Sequence, residues 1–270
     1  MTAALLLLLT ASPTWKVAPM PGPMPPPDRQ ERVSLNGISL FVATYGKGEP
    51  VMLLHGGAGN GDHFANQVAA FAAKYTVLVV DSRGHGRSTR TADPLSYAQM
   101  ADDVVALMDH LKLPTASILG WSDGGAIGVD LALRHPTRIR KLVSVAQNMT
   151  LAGGKSSGTT ETFPAYFARC AADHARLSPT PKEFKALQQA LRPMWRTEPN
   201  FTDARLASLT APTLLIDGDH DEIIRADHLE HVAKVIPNAK LVFIPDASHF
   251  VMFQQPNAFN AAVLAFLAAP

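Results

Sequence analysis

The sequence predicts an α/β fold, a mostly parallel eight-stranded sheet flanked by helices, with a helical lid inserted after the sixth strand. Two observations lead there. From about residue 31, short β-branched or leucine-rich runs alternate with longer amphipathic stretches, as parallel strands joined by crossover helices do. Residues 147–211 break that rhythm with no convincing strand, a length too great for an ordinary loop, so they read as an insertion with a role.

Composition sets the outer limits. With 47% apolar and 17% charged residues among 270, the chain is globular rather than disordered. Its net charge of +1, with no run of Lys or Arg, gives no sign of a nucleic-acid or anionic-membrane partner. Cys170 is the only cysteine, which excludes an intrachain disulfide and a Cys-rich metal site. No second core-forming block stands apart from the alternation, so residues 31–270 read as one domain, expected as a monomer or homodimer.

Residues 1–30 read as a signal remnant and Pro-rich linker outside that domain. The run Ala3–Leu9 has the character of a signal-peptide apolar core, although a basic start and a small-x-small cleavage site are missing. It is far too short to span a bilayer, which takes about 20 residues. Pro19–Pro27 favours an extended tether that can form neither helix nor sheet ladder. The reading is export to the periplasm or beyond, with a cytoplasmic protein as the alternative.

Eight strands are expected at Arg32–Leu35, Ser39–Tyr45, Val51–Leu54, Thr76–Asp81, Ala116–Leu119, Lys141–Val145, Thr213–Asp217 and Lys240–Ile244. The first two flank Asn36-Gly37, a two-residue hairpin signal, so the sheet should open with an antiparallel pair. Helices are expected at Asp62–Lys74, Ser96–Leu111, Asp123–Arg134, Ala226–Val235 and Asn257–Leu267. On the second of these, Asp102, Asp103 and Asp109 lie opposite the apolar stripe and read as a solvated face. Inside the insertion, helical pieces are expected around Phe163–Arg176 and Pro181–Leu191. Phe163, Tyr166, Phe167, Met194, Trp195 and Phe201 could line a pocket there or merely pack the lid.

Four segments carry chemistry. Gly120-Trp121-Ser122-Asp123-Gly124 lies between an expected strand and an expected helix, so Ser122 falls on a sharp turn that glycines relieve. There its hydroxyl could act as a nucleophile, and the N–H of Asp123 at the helix start could stabilise an oxyanion. A helix N-cap is the competing reading of Ser122. His55-Gly56-Gly57-Ala58-Gly59 follows another strand, and its glycines let backbone N–H groups approach a ligand. Gly57 is the preferred donor, with Ala58 next. Gly218-Asp219-His220-Asp221 and Pro245–Phe250 follow two late strands and supply an acid and His249. Asp221 is preferred over Asp219 as the group that orients His249, because it lies further beyond the strand end. Asp217 and Asp219 read as turn-shaping residues. Trp121, Ala58 and Phe250, next to these groups in the chain, are expected to contact substrate.

With these pieces the chain resembles the α/β-hydrolase superfamily over residues 31 to 268. The resemblance implies a Ser122–Asp221–His249 triad and oxyanion donors at Gly57 and Asp123. It also implies a structural loop at Asp81–Ser88, in which Arg83 and His85 are structural. Gly120–Gly125 is similar to the biphenyl-hydrolase-like and valacyclovir-hydrolase-like esterases. In those the acid after the serine looks toward substrate and can favour an aminoacyl ester, which here falls on Asp123. The expected activity is hydrolysis of small-molecule carboxylic esters, with no cofactor and no metal. A lactonase, a carbon–carbon bond hydrolase and a cofactor-free perhydrolase are alternatives on the same triad, and a slowly turning small-molecule receptor is another. His228 and His231 share a helix face but lack a third ligand, so they read as surface residues. Cys170 reads as a small packing residue.

Overall fold

The computed structural model describes residues 13–155 and 162–270, so Ala3–Leu9 lies outside the described residues. All eight expected strands form: β1 Arg29–Leu35, β2 Ile38–Tyr45, β3 Glu49–Leu54, β4 Tyr75–Asp81, β5 Ala116–Trp121, β6 Ile139–Val145, β7 Thr213–Gly218 and β8 Ala239–Ile244. They make one sheet in the order β1-β2-β4-β3-β5-β6-β7-β8. β1 pairs antiparallel with β2 and β2 with β4, and every later pairing is parallel. The turn between β1 and β2 has φ of 45° at Asn36 and 75° at Gly37, which suits the right-handed twist of a two-residue hairpin.

The central strands show why they read as unbroken apolar runs. Every residue of β5 and β7 is buried, as is Val51–Leu54 of β3, which requires cover on both faces of the sheet. That cover comes from α1 Ala65–Ala72, α2 Tyr97–His110, α3 Asp123–Arg134, α7 Ala226–Val235, the short α8 Val251–Gln254 and α9 Pro256–Ala268. α2 packs beside α3, and α1 beside α9.

Between β6 and β7 the chain leaves the sheet for α4 Thr162–Leu177, α5 Phe184–Thr197 and the short α6 Asp203–Leu206. α5 runs past the expected stop at Leu191 and holds Pro193 in its interior. The proline removes one helical hydrogen bond, but the carbonyl that loses its partner belongs to exposed Gln189, where water can replace it. Asp173 of α4 ties this segment to the body. It accepts from Asn60 Nδ2 at 3.3 Å and from Arg169 and Arg176 at 2.9 and 3.0 Å, and Arg176 also reaches Asp62 at 3.2 Å.

Two expectations change. Asp103 is not solvated: it is 2% exposed, takes a two-pronged bond from Arg83 at 2.8 and 2.7 Å, and accepts from Asn36 Nδ2 at 3.0 Å. Helical spacing gave its face correctly, but the loop carrying Arg83 covers that face. The segment just ahead of the Pro-rich stretch is likewise not detached. Thr14 Oγ1 donates to the Asp246 carbonyl at 2.6 Å, Gln254 donates to the Val17 carbonyl at 2.7 Å, and Trp15 stacks on His220 at 3.9 Å. As expected, residues 19–27 join neither helix nor ladder.

Candidate active site

The C-terminal ends of β3, β5, β7 and β8 meet at a cavity of about 270 Å³. Ser122 sits there between β5 and α3 with φ of 52° and ψ of −117°, a conformation that a side-chain-bearing residue seldom adopts. Glycines make this turn possible. A Cβ on Gly120 would lie 2.0 Å from the Gly124 carbonyl oxygen, and one on Gly124 would lie 2.0 Å from that of Leu54. The Ser122 hydroxyl makes no capping bond to α3, so the N-cap reading fails and the hydroxyl is left to the cavity that the residue lines.

His249 lines the same cavity and is held on three sides. Its Nδ1 donates to Asp221 Oδ2 at 2.8 Å, which leaves Nε2 without the proton in the neutral ring. Its backbone N–H donates to Glu222 Oε2 at 3.1 Å, and its carbonyl accepts from Trp121 Nε1 at 3.0 Å. The other oxygen of Asp221 accepts the N–H groups of Ile223 and Ile224 at 2.6 and 2.7 Å. Burial alone would raise the Asp221 carboxyl. The His249 charge, its hydrogen bond and one from Asp217 outweigh that and hold Asp221 below its ordinary value. Asp217 is held well above the carboxylate range, by burial first and by the Asp221 charge second. Asp217 also shapes the turn, its Oδ1 accepting the Gly218 N–H at 2.8 Å.

On the opposite side, the N–H of Gly57 has no acceptor among the described residues, whereas that of Ala58 donates to His85 Nε2 at 3.1 Å. Of the two candidate donors, only Gly57 is free. Asp123 begins α3, so its N–H also lacks an intrahelical acceptor. Its carboxylate accepts from Tyr97 Oη at 2.9 Å and Trp195 Nε1 at 2.8 Å, joining the elbow to α2 and α5. Burial raises this carboxyl against the lowering effect of those two bonds.

The structure therefore brings Ser122, His249, Gly57, Asp123 and Trp121 to one cavity, with Asp221 directly behind His249. Ala58 and Phe250 do not line it. Ala58 is buried at φ of 59° with its N–H committed to His85, and Phe250 is buried behind the cavity against Trp121, Phe163 and Tyr166. Adjacency in the chain put both among the expected substrate contacts, but at a turn successive side chains point apart. Of the insertion's six candidate lining side chains, Phe163, Tyr166, Phe167 and Trp195 line the cavity, while Met194 and Phe201 lie in the core. Glu198 also lines it and had no sequence signal, since a lone acid after a helix has many uses.

Arg83 and His85 prove structural. His85 donates from Nδ1 to the Arg83 carbonyl at 2.9 Å, and burial pushes its ring down to about 3, so it stays neutral. His228 is not a plain surface residue: its half-buried ring accepts the Met149 N–H at 2.9 Å. His231 is exposed and pairs with Asp203 at 2.9 Å. Burial pushes the Cys170 thiol up to about 12, which leaves it inert and packed.

A family model described as alpha/beta hydrolase fold matches residues 49–194 and 183–256. The chain belongs to that family. A Caulobacter sp. (strain K31) protein named for carbamate hydrolysis, RutD, is 31% identical over 250 residues, covering 81% of this chain and 90% of its own. A pimeloyl-[acyl-carrier protein] methyl ester esterase of Nitrosospira multiformis is 27% identical over 265 residues, covering 85% and 98%. The solved structure of Est816, described as an N-acyl homoserine lactone degrading enzyme, is 29% identical with a TM-score of 0.73, covering 87% and 99%. The bonds that these three names give are not of one kind.

Proposed function

We propose that this α/β hydrolase cleaves carboxylic esters of small molecules through an acyl-enzyme on Ser122. The observation that carries the reading is Ser122 on its strained turn, its hydroxyl unused by the helix, in one cavity with a His249 whose Nδ1 proton is committed to Asp221. That commitment leaves Nε2 as the base. In the first half-reaction Nε2 takes the Ser122 proton as the oxygen attacks the ester carbonyl, and Asp221 stabilises the imidazolium. The oxyanion is met by the N–H groups of Gly57 and Asp123. The tetrahedral intermediate collapses, His249 returns the proton to the departing alcohol, and the acyl group stays on Ser122. Water then repeats the sequence, releasing the acid and restoring the serine. Side chains, backbone and water carry every step.

The cavity wall narrows the substrate by charge. Among the described residues Asp123 and Glu198 line it and no Lys or Arg does, so an anionic acyl or alcohol group meets repulsion without a counter-charge. An aminoacyl ester fits this wall, although both Asp123 oxygens already accept a bond. Fluorophosphonate labelling tests the core of the reading: the wild type is expected to label and Ser122→Ala not to. Equal labelling of the two, or none of either, sinks it. A p-nitrophenyl ester chain-length series beside aminoacyl, succinyl and lactone substrates then tests the charge argument. Asp123→Ala is expected to erase discrimination between aminoacyl and plain acyl esters, and unchanged discrimination refutes that part.

A further inference from the structure

We infer that Tyr166, on the first helix of the insertion, is a positioning residue that aims the Gly57 N–H by fixing the peptide that follows it. The Tyr166 hydroxyl donates to the Gly57 carbonyl oxygen at 2.9 Å, and the N–H of the same Gly57–Ala58 peptide donates to His85 Nε2 at 3.1 Å. A peptide unit is planar, so holding its C=O on one side and its N–H on the other removes its freedom to rotate. The peptide that carries the Gly57 N–H is held at the Gly56 carbonyl, which accepts from His55 Nδ1 at 2.8 Å and from the Gly59 N–H at 3.1 Å. The two peptides meet at Gly57, which has no side chain to limit the angle between them, so fixing the second one matters. The N–H left over, that of Gly57, lies at the cavity and has no acceptor among the described residues.

Two further observations fit this role. Ala58 holds φ of 59°, a left-handed conformation disfavoured for a residue with a Cβ, and it persists only when its surroundings dictate it. Gly59 marks the path of the hydroxyl: a Cβ there would stand 2.8 Å from Tyr166 Oη and 2.8 Å from His63 Nδ1. The glycine at 59 is therefore explained by the approach of Tyr166 and not only by the turn. His85 cannot exchange its role, because its Nδ1–H is held by the Arg83 carbonyl and Nε2 must accept. Since Tyr166 belongs to α4, the donor is aimed only when the insertion is seated on the body.

The inference rests on the ester-hydrolase reading and has its own test. Tyr166→Phe keeps the ring in place and removes one hydroxyl. On p-nitrophenyl acetate its kcat is expected to fall about ten-fold with KM within two-fold, less than the 10²–10³ typical of deleting an oxyanion donor outright. The inhibition constant of an alkylboronic acid, which mimics the tetrahedral species, should weaken by the same factor while the thermal midpoint stays put. Gly59→Ala, which displaces the hydroxyl without removing it, should reproduce the defect, and the double variant should add nothing further. Wild-type kcat and boronate affinity in Tyr166→Phe overturn the inference, as does a rise in KM alone, which marks a mere substrate contact. Fluorophosphonate labelling separates the two levels. If the wild type labels at Ser122 and Tyr166→Phe behaves as wild type, only the positioning role falls.

Discussion

Ser122 holds a backbone conformation that costs about 1–3 kcal/mol for a residue with a side chain, and the surrounding contacts keep it there. The turn was legible in the sequence because its requirements are local: glycines two residues to either side, a strand before and a helix after. His249 was legible for a similar reason, as a histidine just past a strand end. Of Asp219 and Asp221, it is Asp221, the one further beyond the strand end, whose carboxylate bonds Nδ1. Asp221→Asn preserves the shape but removes the charge and allows the wrong tautomer, so kcat should fall by about 10³–10⁴ with labelling slowed in parallel. A loss below ten-fold means the carboxylate does not orient the histidine. What stayed hidden depends on partners far away in the chain. Nothing near Glu222 says that its carboxylate takes the His249 N–H with one oxygen and the Thr162 hydroxyl with the other. Nothing near Trp195 says that it reaches Asp123.

At the scale of elements, every strand and every body helix but the short α8 follows from periodicity and turn chemistry, with ends shifted by a few residues. The exceptions arise where one element is covered by another. Asp103 faces away from the apolar stripe of α2, and helical spacing cannot say whether water or a loop lies on that side. Here the loop brings Arg83, and the pair is buried at 2% exposure on both side chains. A buried charge left alone is expensive, whereas losing both together is often nearly neutral. Arg83→Met should therefore destabilise the fold by about 3–5 kcal/mol, and Arg83→Met with Asp103→Leu should recover most of that loss. Urea unfolding measures both. A single variant within 1 kcal/mol of wild type, on the order of an exposed pair's worth, means the pair is not desolvated.

Taken as a whole, the molecule keeps two neutral histidines, His55 and His85, between the turns after β3 and β4, with ring centroids 5.1 Å apart. Burial pushes each from 6.5 down to about 3. In the window between those values the unfolded chain binds protons that the folded chain refuses. Stability therefore rises with pH there, and is lost as pH falls below about 6.5. Each histidine adds about 1.4 kcal/mol per pH unit to that slope inside the window. Urea midpoints at pH 7, 5.5 and 4.5 should drop steadily, and His85→Gln should flatten the slope even where it lowers the plateau. An unchanged slope in that variant shows that His85 is not held neutral by the fold. The docking of residues 13–17 bears on how the protein is made. Thr14 bonds to a carbonyl 232 residues further on, and Val17 to a side chain 237 residues on. At about 5–20 residues per second of synthesis, those partners leave the ribosome roughly 12–47 s after the segment does. Through that interval residues 13–17 cannot settle on the fold, because the turns that receive them do not yet exist. Residues 13–17 thus stay open to cellular factors until the turns around Asp246 and Gln254 have formed, so their docking is a late step of assembly.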